Sequence, residues 1–157
     1  MGKTRICVAG YGISHNTGRA QKLASVIAQQ YPEKYETWFY FSTFEYKQFL
    51  EGIKPAIPKE QLSQPSTLDA NPKTIQDHTS SPFVWMETTS GGDGNKQIKA
   101  VGGRDKFCEW ASTEFPKDAD DIQSLTSLEE PVLLELFFDY STPGGTWMEH
   151  ENKDNKE

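Results

Sequence analysis

The stretch that decides the fold is RICVAGYGISHNTGRAQKLASVIAQQYPEKYETWFYF, residues 5–41. Arg5-Ile6-Cys7-Val8-Ala9-Gly10 is short, β-branched and apolar, and Gly10 and Gly12 close it, which predicts a first strand. From about Thr17 to Tyr31 the apolar residues Ala20, Leu23, Ala24 and Ile27 stand at i, i+3, i+4 and i+7, while Arg19, Lys22 and Gln29 fall on the opposite side. That spacing predicts an amphipathic helix. Ser14, Asn16 and Thr17 all suit its N-cap, and Pro32 follows its end. Tyr35-Glu36-Thr37-Trp38-Phe39-Tyr40-Phe41 is too apolar for a half-solvated strand and predicts one buried on both faces. A strand, a helix and a strand in this space make a βαβ unit with a right-handed crossover.

Ser42-Thr43-Phe44-Glu45 has the form of a capping box opening a short helix with Phe44, Phe49, Leu50 and Ile53 inward. Residues 54–79 carry Pro55, Pro58, Pro65 and Pro72 among polar residues, and are expected to form a long loop with room for one helical turn. Pro82 to Glu87 reads as a third strand, Gly91-Gly92-Asp93-Gly94-Asn95 as a turn, and Gln97 to Val101 as the returning strand of a hairpin. Gly102-Gly103 ends it, and Arg104 to Phe115 reads as a helix with Phe107, Cys108, Trp110 and Ala111 inward. The expectation is an α/β domain over residues 1–115, βαβ–α–ββα, with a mixed four-stranded sheet and an insertion at 54–79.

Charge divides the chain. Residues 1–111 carry 13 Lys and Arg against 11 Asp and Glu, whereas residues 112–157 carry 3 against 12. The net of −7 therefore belongs to an acidic C-terminal extension, which would repel phosphate backbones, so nucleic acid is not an expected partner. Within the extension the apolar run at 131–140 offers Val132, Leu133, Leu134, Leu136, Phe137, Phe138 and Tyr140 either to the domain itself or to a protein partner. No apolar run reaches the roughly 18 residues that span a bilayer, and the N-terminus does not have the form of a signal peptide. The two cysteines, Cys7 and Cys108, have neither C-x-x-C nor metal-ligand spacing, which points to structural thiols in a cytoplasmic protein without a metal.

This order resembles the glutaredoxin-like thioredoxin fold, and three local features carry the resemblance. The turn after Gly12 lies where that family holds its C-x-x-C, Ser81-Pro82 where it holds a cis proline, and Gly102-Gly103-Arg104-Asp105 is similar to its glutathione-binding Gly-Gly-x-Asp. Over residues 5–112 the spacing resembles more closely the N-terminal module of the 1B-type malate dehydrogenase-like proteins, with Ser-Pro before an apolar strand bearing Trp. The resemblance implies a thioredoxin-like sandwich, a vestigial glutathione-type site at Ser14, Thr17, Ser81, Pro82, Gly102, Gly103 and Asp105, and ciliary or axonemal machinery as one home.

One departure bears on the chemistry. Ser14-His15-Asn16-Thr17 occupies the C-x-x-C position. A helix N-terminus makes thiolate from cysteine, but a serine hydroxyl there stays protonated and forms no disulfide. Thiol–disulfide exchange is therefore not expected, and no catalytic residue is assigned. Each candidate has two readings. Ser14 either caps the first helix or contacts a glutathione sulfur. Ser81-Pro82 either turns the chain or pairs with a γ-glutamyl-cysteine backbone. Gly103, Arg104 and Asp105 either make a tight turn with an Asp in the first helical turn or hold a glutathione carboxylate and amine. His15, His78 and His150 are expected in solvent. Dinucleotide, P-loop and flavodoxin-type readings of Gly10 to Gly18 fail: His15 replaces the third glycine, Arg19-Ala20 replaces Lys-Ser/Thr, and the Pro82 hairpin breaks a parallel sheet. The expected function is a non-catalytic module binding protein partners in a larger assembly, with a glutathione-binding protein or transferase using Ser14 as the alternative.

Overall fold

The computed structural model describes residues 3–12, 14–90, 95–127 and 140–141, with the backbone alone described at 15, 89, 90, 95, 96, 140 and 141. Strand β1 is Thr4–Gly10, helix α1 His15–Gln30, β2 Tyr35–Phe41 and α2 Tyr46–Ile53. A 3-10 turn at Lys54–Ala56 and a short α3 at Lys59–Leu62 precede β3 Phe83–Ser90, β4 Asn95–Gly102, α4 Arg104–Glu114, α5 Asp120–Thr126 and a two-residue β5, Tyr140–Ser141. The chain is α/β. Its sheet is mixed, in the order β4-β3-β1-β2-β5, with β1 and β2 parallel and β3, β4 and β5 each antiparallel to the strand beside it.

Alternation along the strands builds two cores. Ile6 and Val8 of β1, Phe39 of β2 and Val84 and Met86 of β3 face α1, α4 and α5, where Leu23, Ile27, Phe107 and Ile122 meet them. Cys7, Ala9, Trp38, Phe83 and Trp85 face the other way, onto Tyr46, Leu50 and Ile53 of α2 and onto Ile57 and Ile75 of the insertion. The predicted two-sided burial of β2 follows from this: Trp38 is 1% and Phe39 6% exposed, on opposite faces. Burying a side chain of this size is worth roughly 1.5–3 kcal/mol.

Three findings go beyond or against the expectations. The stretch 54–79 is largely irregular, as expected, apart from the 3-10 turn and α3, and it forms the second wall of the core around Cys7, Trp38 and Trp85. Ile57, Ser66 and Ile75 are buried, and its backbone is tied by Ser66 N–H to Lys73 O (2.8 Å), Ile75 N–H to Gln64 O (2.9 Å) and Gln76 N–H to Leu62 O (3.0 Å). Its few apolar residues follow neither a helical nor a strand period, so no repeat shows in the sequence. Helix α2 starts at Tyr46 rather than Phe44. Ser42 Oγ accepts the Glu45 N–H at 3.0 Å, and Phe44 stays outside the helix, 90% exposed. The sheet also gains a fifth short strand, Tyr40 pairing with Ser141 and Phe41 with Tyr140, so Tyr140 is joined by its backbone to this chain's own sheet. Val132, Leu133, Leu134, Leu136, Phe137 and Phe138 lie outside the described residues, as does His150. No helix among the described residues is long and apolar enough to cross a membrane.

Candidate functional site

The parallel strands β1 and β2 end on the same side of the sheet, and there the helix starts and loops carrying the candidate residues meet. Ser14 is the N-cap of α1, with extended backbone (φ −86°, ψ 129°), and its Oγ accepts the Thr17 N–H at 3.4 Å. Thr17, 2% exposed, turns its hydroxyl to Ser81 Oγ at 2.7 Å, and Ser81 Oγ also accepts the Tyr11 N–H at 2.9 Å. The Ser81–Pro82 peptide is cis. The turn from β1 into α1 and the loop before β3, distant in sequence, are thus joined through two hydroxyls. Gly10 makes room for them: a Cβ at that position would overlap the Thr17 hydroxyl and stand 2.6 Å from Ser81 Oγ. No larger residue fits there without displacing the pair.

The loop 78–82 is held at further points. Tyr46 donates its hydroxyl to the Ser80 carbonyl at 2.5 Å, and Lys54, 4% exposed, donates to the His78 carbonyl at 2.9 Å while pairing with Glu51 at 2.6 Å. His78 is not in solvent as expected. It is 1% exposed, it bonds through Nε2 to the Pro82 carbonyl at 3.1 Å, and its ring lies 5.2 Å from that of Phe83. A carbonyl only accepts, so Nε2 carries the proton and donates. Burial lowers the pKa of this ring, the bonds to Pro82 and Ser80 opposing it in part.

The Gly102-Gly103 pair is explained from below. Gly102 has φ +121°, and a Cβ there would come 2.5 Å from the Ser66 carbonyl oxygen; Gly103 N–H donates to that oxygen at 2.8 Å. The glycines let the insertion dock against the end of β4. Asp105 Oδ1 accepts from Arg104 Nε at 2.9 Å and from Nη2 at 2.8 Å, and Arg104 Nη1 reaches Asn16 Oδ1 on α1 at 2.5 Å. The carboxylate that would hold a ligand amine is therefore already bound by its neighbour, and the same arginine joins the starts of α1 and α4.

Ser14, Thr17, Ser81 and Pro82 come together around one polar latch, while Gly102, Gly103 and Asp105 belong to an adjoining junction that Arg104 links to it. Reading the sequence missed Tyr46, Lys54, Ser66 and His78 as members. A signal existed for the first two: Tyr46, Leu50, Ile53 and Lys54 fall at i, i+4, i+7 and i+8, one helical face. Nothing local pointed to Ser66 or His78.

The two thiols stand elsewhere. Cys7, 0% exposed inside β1, directs Sγ to the Arg5 carbonyl at 3.7 Å, and burial followed by the Glu87 carboxylate raises its pKa. Cys108, 2% exposed in α4, directs Sγ to the Leu125 carbonyl at 3.8 Å, and burial pushes it up to about 11. Neither caps a helix. No group of three or more His, Cys, Asp or Glu among the described residues is placed to share a metal ion. No protein-family model matches the chain, and no curated protein is significantly similar to it.

Proposed function

We propose that this chain is a thioredoxin-like module without thiol–disulfide chemistry, working as a structural and protein-binding subunit of a larger assembly. The observation that carries the reading is the latch: the hydroxyls at the redox-motif and cis-proline positions are engaged with each other and with backbone N–H groups. Groups used to hold these two segments together are withdrawn from substrate, and both sulfurs lie in the cores as protonated thiols. The sheet order β4-β3-β1-β2, with one parallel pair, supports the glutaredoxin-like topology. The resemblance to the 1B-type malate dehydrogenase-like module adds an axonemal location to the proposal.

The experiment is purification of the native protein from its source under mild conditions, followed by sedimentation. Stoichiometric co-sedimentation with other chains is the expected result, and a free monomer at every salt concentration overturns the reading. Calorimetry with glutathione serves the rival. Binding in the millimolar to micromolar range, about −4 to −8 kcal/mol, weakened by Asp105→Ala, would replace the structural reading with a ligand-binding one. No heat is expected.

A further inference from the structure

β4 is the outer strand of the sheet on the side away from β5, and two of its outward backbone groups are satisfied by a single side chain. Gln61 on α3 donates Nε2–H to the Ile98 carbonyl at 2.8 Å and accepts the Ala100 N–H at Oε1 at 2.7 Å. A primary amide presents a donor and an acceptor in one plane, as a peptide group does, so Gln61 stands where the peptide of a neighbouring strand would stand. Beside this edge run two adjoining clefts of about 550 and 460 Å³ that share Lys99 and the half-buried Trp110. Both open on the α4 side of the sheet: the first is walled by Lys99 to Val101, by α4 and by Gln64 and Pro65 of the insertion, and the second runs from Gln97 to Lys99 across the sheet to Met86, Thr4 and Tyr35. The five residues Gln97 to Val101, at about 3.3 Å each, match five residues of extended chain.

We propose that the β4 edge is a strand-addition site for an extended segment of a partner polypeptide, which displaces the Gln61 amide and sets a carboxylate at Lys99 and an apolar side chain against Trp110. This deepens the binding-module reading and rests on it. Charge selects the occupant. Lys106 already faces Glu109 at 3.6 Å, whereas no carboxylate of the described residues lies within ion-pair reach of Lys99. A second copy of this chain is disfavoured by the same lysine. Pairing Ile98 with Ala100 of the second copy sets Lys99 directly opposite its own counterpart, a repulsive cross-strand pair. A foreign strand carrying Asp or Glu at that position converts the repulsion into attraction. Side chains two apart share a face, so an antiparallel guest reads as apolar–any–acidic, the apolar residue opposite Val101 and the acid opposite Lys99.

The test uses the whole chain, ¹⁵N-labelled, titrated with the capped hexapeptide TLTDTT and with its counterpart TLTKTT. TLTDTT is expected to shift the Ile98 and Ala100 amides and the Trp110 indole at up to millimolar peptide, and TLTKTT to bind at least several-fold more weakly. Gln61→Ala, which removes the placeholder, is expected to tighten TLTDTT about tenfold. Lys99→Glu is expected to reverse the preference between the peptides. Absence of shifts in both the natural chain and Gln61→Ala, equal affinity for the two peptides, or sedimentation of Gln61→Ala as a dimer that the peptide leaves intact, overturns the proposal. Such a failure alongside a stoichiometric native complex would refute this edge and leave the binding-module reading standing.

Discussion

Replacing Gly10 by alanine asks whether the polar latch holds the domain together. The added Cβ would overlap Thr17 Oγ1 and stand 2.6 Å from Ser81 Oγ, and Thr17 is buried while Ser81 is half-buried. Something must move. If the hydroxyls separate, the Thr17–Ser81 bond and the Tyr11 N–H to Ser81 bond are both lost, at about 0.5–1.5 kcal/mol each. If the backbone yields instead, overpacking costs about 1–3 kcal/mol. Either route gives a loss of about 1–3 kcal/mol, which for a chain of this size lowers Tm by roughly 2–12 °C. Urea unfolding, followed by tryptophan fluorescence, reads the loss as a lower midpoint at unchanged slope. Gly10→Ala combined with Ser81→Ala removes one of the two obstructing oxygens. The double variant is therefore expected to be more stable than the sum of the single losses by about 1 kcal/mol. Strict additivity, or a loss from Gly10→Ala below about 0.5 kcal/mol, would refute the packing argument.

Further outcomes follow from the same geometry. Ser14→Ala removes the α1 cap and is expected to cost about 0.5–1 kcal/mol in urea unfolding, the low end because the bond is 3.4 Å long. Burial lowers the His78 pKa below its ordinary 6.5, so the unfolded chain binds the proton more readily than the folded one. The stability this histidine confers is complete above 6.5 and is lost as pH falls through the window between the ordinary and the lowered value, with a slope of up to about 1.4 kcal/mol per pH unit. A His78→Gln variant should show a shallower pH slope in that window, and an unchanged slope would contradict the buried assignment. Arg19, expected on the outward side of α1, is instead 5% exposed, because its guanidinium donates to the Leu125 carbonyl at 2.9 Å and the Ser127 carbonyl at 2.7 Å. Arg19→Met is expected to loosen the end of α5, seen as faster amide exchange at residues 122–126 than in β1.

The first half of the domain was legible because it obeys simple periods. Leu23 and Ile27 repeat on one helical face, and Cys7, Val8, Trp38 and Phe39 alternate across a sheet, so local spacing and tertiary burial agree. Ser14 as a cap was legible too, since a cap acts within three residues of itself. What spacing cannot show is a bond between residues 64 apart, such as Thr17 to Ser81, or the docking of Ser66 beneath Gly102. The packing of the insertion was hidden for a related reason. Its order depends on a few buried residues, Ile57, Ser66 and Ile75, set among prolines and polar groups that by composition alone predict a loop. His78 was placed in solvent because a lone histidine in such a segment has no visible partner; its partner is the Pro82 carbonyl four residues on, reachable only once the chain has turned.

The central claim, that no sulfur of this chain is available for exchange, is tested most directly by labelling the native protein with a chromogenic aromatic disulfide at pH 8. With Cys108 pushed up to about 11, roughly one thiol in a thousand is ionised there, and burial shields both sulfurs. Labelling is expected only at the rate of unfolding, rising steeply when urea is added. Stoichiometric reaction of either cysteine within seconds in the folded protein would contradict the account.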